Sequence, residues 1–191
     1  MYAQLRCQGG PWDGNDTYIV DSTWDQLLEN PGEGTDTVYA SAHFGLFDNV
    51  ENLVLVEGAG AINGTGTAGD NTISGNSDAN IIDGGAGNDM LSGNGGADIM
   101  IGGAGDDVLT GGLGDDVFAF APGYFGHDTI ADFSAGDQIV FDHTLFASFA
   151  DVQAHMMQVG NDVAITFDAD DVLTLQNVSV AQLSQHDFLL A

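Results

Sequence analysis

Basic residues are almost missing from this chain. One Lys or Arg stands against 29 Asp and Glu, giving a formal net charge of −28 over 191 residues. The single basic residue is Arg6. Phosphate recognition needs clustered Lys and Arg, so a nucleic-acid partner is excluded. A polybasic membrane-surface role fails for the same reason. No run approaches the roughly 18 apolar residues of a membrane span, so membrane insertion is not expected. The lone cysteine, Cys7, cannot make an internal disulfide framework and leaves the redox compartment open. The opening Met1–Arg6 has no apolar core, so the expectation is that no cleaved signal peptide sits here and that any export uses another route.

What the chain does have is glycine, aspartate and aliphatic side chains. Twenty-eight glycines and 25 aspartates would ordinarily point to disorder. Yet 43% of residues are hydrophobic, and many of them recur at a fixed period. Six tandem nine-residue copies run from Gly66 to Ala119, with Gly84-Gly85-Ala86-Gly87-Asn88-Asp89-Met90-Leu91-Ser92 a strict copy. Others start at Gly102 and Gly111; the copy at Gly93 has Asn94 for its second glycine. The first two copies are degenerate, with Asn71 and Asn80 at the Asp position and Asp78 replacing a glycine. A flexible linker has no reason to place an apolar residue every ninth position.

The repeat can be read as chemistry. Its last three residues form a short strand with one inward side chain, namely Ile73, Ile82, Leu91, Met100, Leu109 and Phe118. Such a strand cannot bury itself alone, so copies must stack. The Gly-rich part is the turn between strands, where glycine permits positive φ and close approach of carbonyls to a cation. If two copies make one coil, loops eighteen residues apart face each other, pairing Asn71 with Asp89, Asp89 with Asp107, Asn80 with Asp98, and Asp98 with Asp116. A cation between two such loops meets about six oxygens, a calcium-like number. Oxygen ligands without nearby His or Cys favour Ca²⁺ over zinc or copper.

The pattern G-G-x-G-x-D-x-U-x, with U apolar, resembles the RTX (hemolysin-type calcium-binding repeat) family. The expected fold is all-β: a right-handed parallel β-roll over 66–119, an irregular β-rich flank over 1–65, and a C-terminal cap with a type I secretion region over 120–191. About four or more Ca²⁺ ions are expected. Asp89, Asp98, Asp107 and Asp116 are the ligands, with Asn71, Asn80 and Asp78 weaker. Gly85, Gly87, Asn94, Gly96, Gly103, Gly105, Gly112 and Gly114 offer carbonyls. Pieces reading G-x-D-x-U-x recur at Gly14–Ile19, Gly34–Tyr39 and Gly126–Ala131. They add Asp16 to the ligand candidates, with Asp36 and Asp128 ranked below it and a plain turn with a favourable Asp the competing reading.

After the array, Asp128–Val140 reads D-x-I-x-D-F-x-x-G-D-x-I and resembles the segment following the repeats in serralysin-type domains. Leu183–Leu190 is similar to the D-F-L-like ending of type I secretion substrates. That resemblance implies a secreted, extracellular protein handled by type I machinery, and an apolar cap is the alternative reading. Val163–Phe167 and Val172–Leu175 are expected to form a hairpin. Met156 and Met157 are expected in the core of a short helix over about 148–158, and Trp12, Tyr18 and Trp24 as core aromatics. No H-E-x-x-H or G-x-S-x-G occurs, and His43, His127, His143, His155 and His186 are scattered, so no enzyme is expected. A carbohydrate- or surface-binding accessory module, with an extracellular polysaccharide or a parent catalytic domain as partner, stays open. So does a hydrolase with unrecognised catalytic residues.

Overall fold

The computed structural model describes residues 6–8, 14–123 and 125–191, the first three by backbone alone. Trp12 and Tyr124 lie outside the described residues. The chain is an all-β parallel solenoid in which successive coils each add strands to two facing sheets. One sheet runs in spatial order Arg6–Gln8, Thr17–Val20, Thr37–Ala40, Asn52–Leu55, Thr72–Ser74, Met90–Ser92, Val108–Thr110, His127–Ile130, Val172–Leu175, Asp162–Thr166 and Met156–Val159. The other holds Phe44–Gly45, Gly64–Thr65, Ile81–Ala86, Ile99–Ala104, Val117–Phe120, Gln138–Phe141 and Phe188–Leu190.

The single inward residue per repeat becomes a continuous ladder. In the first sheet Val38, Leu53, Ile73, Leu91, Leu109, Ile130 and Leu175 are in register from strand to strand and fully buried. In the second, Ile82, Met100, Phe118 and Ile139 do the same, and Phe188, also buried, continues the register. No coil is stable alone, because each apolar side chain is covered by those above and below it.

The solenoid extends beyond the nonapeptides. Thr17 pairs in parallel with Thr37, Thr37 with Asn52 and Asn52 with Thr72, so 17–55 stacks directly on the array. Past the array, Thr129 pairs with Val108 and Gln138 with Val117. The C-terminal end is plugged by aromatics: the Phe141 and Phe146 rings lie 4.9 Å apart and the Phe120 and Phe125 rings 5.4 Å. The expected hairpin forms, with Val163 opposite Leu175 and Thr166 opposite Val172.

Two expectations need correction. The helix is only Phe149–Ala154; Met156–Val159 is a strand antiparallel to Asp162–Thr166. Ser148 caps the helix, but His155 closes it after six residues, and edge pairing takes the methionines, leaving Met157 60% exposed. Trp24 is 82% exposed, because burial alternates through Asp25, Leu27 and Glu29 and places it on the outward side. Tyr18 is buried as expected.

Candidate metal centre

The loops carry the chemistry. In the strict copies the glycines at positions two and four adopt left-handed backbone: Gly85 and Gly87, Gly103 and Gly105, Gly112 and Gly114. Asn94 holds the equivalent place at φ 69°, a conformation asparagine tolerates better than most residues. These turns sit backbone on backbone. A Cβ at Gly103 would collide with the Gly85 carbonyl, and one at Gly105 with that of Gly87. Gly103→Ala therefore combines a strained φ of 110° with a clash, and is expected to cost ~2–3 kcal/mol in a urea melt in Ca²⁺.

The sixth position of each repeat turns inward. Asp89, Asp98, Asp107 and Asp116 are all at most 1% exposed. One oxygen of each is used by the preceding coil: the backbone N–H of Asn71 donates to Asp89 Oδ1 at 2.7 Å, and that of Asp89 to Asp107 at 2.8 Å. On the second edge Asn80 donates to Asp98 at 2.7 Å and Asp98 to Asp116 at 2.8 Å. The eighteen-residue stacking is thus a ladder of backbone-to-carboxylate bonds.

The ladder outruns the strict repeats. Asp107 N–H donates to Asp128 and Asp116 N–H to Asp137, both across 21 residues. At the other end Asp16 N–H donates to Asp36 and Asp36 N–H to Glu51. The three extra residues per coil hid the register of Asp128 and Asp137, although Gly126-His127-Asp128-Thr129-Ile130 kept the turn pattern. Glu51 gave no signal, since a Glu there breaks the motif.

The second oxygen decides what the loops are for. Among the described residues, Oδ2 of Asp89, Asp98, Asp107, Asp116 and Asp128 is buried with no hydrogen-bond partner. A bare buried carboxylate oxygen is costly unless an ion or donor meets it. Burial, above all, pushes the carboxyls of Asp89 and Asp98 up to about 6 and that of Asp128 to about 8, and raises those of Asp107 and Asp116. The oxygens also lie against backbone where only glycine fits: a Cβ at Gly84 would strike Asp89 Oδ2 and lie close to the Gly102 carbonyl, and one at Gly93 would strike Asp98 Oδ2 and lie close to the Gly111 carbonyl. Anionic oxygens beside backbone carbonyls, with no nitrogen or sulfur donor, fit a hard cation such as Ca²⁺.

The weaker candidates behave differently. Asn71 accepts from Thr67 N–H at 2.7 Å and donates to the Val50 and Glu51 carbonyls. Asn80 accepts from Asn76 N–H at 2.8 Å and donates to the Ile62 carbonyl at 2.6 Å. Both amides are occupied within the protein, and Asp78 is exposed at its loop tip. Asp137 Oδ2 is likewise taken, by Ser134 N–H at 2.7 Å.

Comparison with known proteins agrees with this geometry. Residues 64–91 and 92–130 match the RTX calcium-binding nonapeptide repeat. This stretch is an RTX repeat array. RTX nonapeptides bind Ca²⁺, the ion for which the bare oxygens are suited. Over 93% of its length the chain is 39% identical to the endo-1,3-1,4-beta-glycanase EglC of Rhizobium meliloti (strain 1021) and 38% identical to ExsH, an endo-1,3-1,4-beta-glycanase of the same strain. In each case the match covers 34% of the relative, so the chain spans about a third of those proteins. The extracellular lipase LipA of Serratia marcescens shares the fold at a TM-score of 0.54 and 18% identity, over 96% of this chain and 39% of LipA.

Proposed function

We propose that the chain is a non-catalytic calcium-binding RTX domain that folds on meeting extracellular Ca²⁺ and supports type I secretion of the protein that carries it. The observation that carries this reading is the row of five buried, unpartnered Asp oxygens. Without ions these charges oppose folding; with ions they drive it, because Ca²⁺ binds the folded state alone. Extracellular modules bind in the range of about 10⁻⁴ to 10⁻³ M, so the Asp-lined coils stay loose at cytosolic calcium and close outside. The ligands are Asp89, Asp98, Asp107, Asp116 and Asp128, with the loop carbonyls completing the shells. The resemblance of Asp128–Val140 and Leu183–Leu190 to secretion-linked segments supports export by the type I route.

A second reading has its own support. The relatives that match over nearly the whole chain are named as glycanases, and this chain corresponds to a third of them. The domain then serves as the accessory module of a secreted polysaccharide-modifying enzyme, which is compatible with the first reading rather than opposed to it.

Far-UV circular dichroism during a titration from EGTA to about 10 mM Ca²⁺ tests the first reading across the extracellular affinity range. The expected result is a cooperative gain of β structure, absent with Mg²⁺ and abolished in Asp98→Ala with Asp107→Ala. A spectrum already β-rich in EGTA and unchanged by Ca²⁺ would sink it. Binding of a soluble 1,3-1,4-β-linked glycan to the Ca²⁺-loaded chain tests the second.

A further inference from the structure

We propose that Asp16, Glu29 and Asp36 form a separate calcium site, outside the nonapeptide array and built partly by the connector over 21–34. One carboxylate oxygen from each lies within 4.8 Å of the other two. All three residues are at least 95% buried. Oxygens held at about 2.3–2.6 Å from one Ca²⁺ lie at most about 5 Å apart, so the three fit around a single ion.

An acidic cluster alone says little, because aspartates crowd this chain. Glu29 makes the difference. One of its oxygens accepts a hydrogen bond from the Tyr18 hydroxyl, while Oε2 is buried without any partner. Among the described residues no cationic side chain pairs with the cluster. Burial, reinforced by Asp36, Glu33 and Asp16, raises the Glu29 carboxyl despite the opposing Tyr18 bond. The group therefore resembles the bare Asp oxygens of the repeats, in a place where no repeat predicts a ligand.

The backbone holds this arrangement from two directions. Asp16 and Asp36 come from stacked Gly-x-Asp turns, with Asp16 N–H donating to Asp36 Oδ1 at 2.7 Å and Thr35 N–H to Asn15 Oδ1 at 2.9 Å. Glu29 comes from the connector. Leu27, two residues before it, is buried in the core, the Glu29 carbonyl accepts from Asn49 Nδ2 at 3.0 Å, and Asp25 Oδ2 accepts from the Ser22 N–H. An ion at this point ties the connector to the first coils, a task the repeat loops do not have. Three carboxylates with no nitrogen or sulfur favour Ca²⁺ over zinc or copper.

The test uses the full 191-residue chain and Ca²⁺ itself. Bound calcium is counted after equilibrium dialysis at about 1 mM free ion, within the extracellular affinity range. Glu29→Gln keeps the shape and the Tyr18 acceptor, and is expected to carry one ion fewer than the parent. It is also expected to melt lower in Ca²⁺ but no lower in chelator, where it removes an uncompensated charge. Asp16→Asn is expected to lose the same ion. Unchanged counts in both variants overturn the site, and so does a Glu29→Gln chain that melts equally lower in both conditions, since that marks a purely structural role. Asp98→Asn with Asp107→Asn separates this proposal from the calcium reading of the repeats. If that pair loses no ion while Glu29→Gln does, the repeat reading fails and the connector site stands.

Discussion

In chelator at pH 7.5 the Asp-bearing coils over 84–137 are expected to be unfolded, and acidification to pH 5 to restore their β structure with no calcium present. The sign follows from burial. In the unfolded chain each Asp titrates near its ordinary value of about 3.9. In the fold, burial raises Asp89 and Asp98 to about 6 and Asp128 to about 8. Between those values the folded state holds more protons than the unfolded one, so stability falls as pH rises. The contribution is fully present below about pH 4, is lost through pH 6 for Asp89 and Asp98, and through pH 8 for Asp128. Far-UV circular dichroism in EGTA from pH 8 down to pH 5 measures it directly. Protons and Ca²⁺ compete for the same oxygens, so the calcium midpoint should rise as pH falls from 8 to 6. A chelated chain with the same spectrum at pH 8 and pH 5 would contradict this account.

Regular spacing decides which parts of the fold and of the site are legible in the sequence. Period nine is a covalent property of the chain, and it implies the inward ladder of Ile73, Leu91 and Leu109 in one sheet and of Ile82, Met100 and Phe118 in the other. The same period places Asp89 under Asp107 and Asp98 under Asp116. Outside the array coil lengths change to 15, 20 or 21 residues, and no spacing rule survives. Asp128 and Asp137 were therefore hard to place, although their short motifs were visible. Glu29 carried no signal at all. It reaches Asp16 and Asp36 only because the connector over 21–34 folds back with alternating burial, which is a tertiary outcome. Met156 and Met157 failed for a related reason: a short apolar run is ambiguous between helix and strand, and pairing with Asp162–Thr166 decided it.

The degenerate repeats supply the second large effect. Asn80→Asp is expected to destabilise the chelated protein by ~3–5 kcal/mol, a change of one atom per side chain. Asn80 is buried, and its amide already performs the closure that the ion performs elsewhere: Oδ1 accepts from Asn76 N–H, and Nδ2 donates to the Ile62 carbonyl and to Asn76 Oδ1. A carboxylate there loses both donations and turns two acceptors against a buried charge. Asn71 closes its own loop in the same way. The coils over 52–83 are therefore expected to stay protected in chelator while 84–137 exchanges freely, read by hydrogen exchange peptide by peptide. Asn80→Asp should extend the exchanging region back toward 52. The reverse change completes the test: Asp98→Asn removes one of the bare charges, so it should raise stability in chelator and lower it in Ca²⁺. Opposite signs for one substitution in the two conditions follow if the aspartates serve an ion and the asparagines replace one. Equal signs would mean that both kinds of loop are held by packing alone.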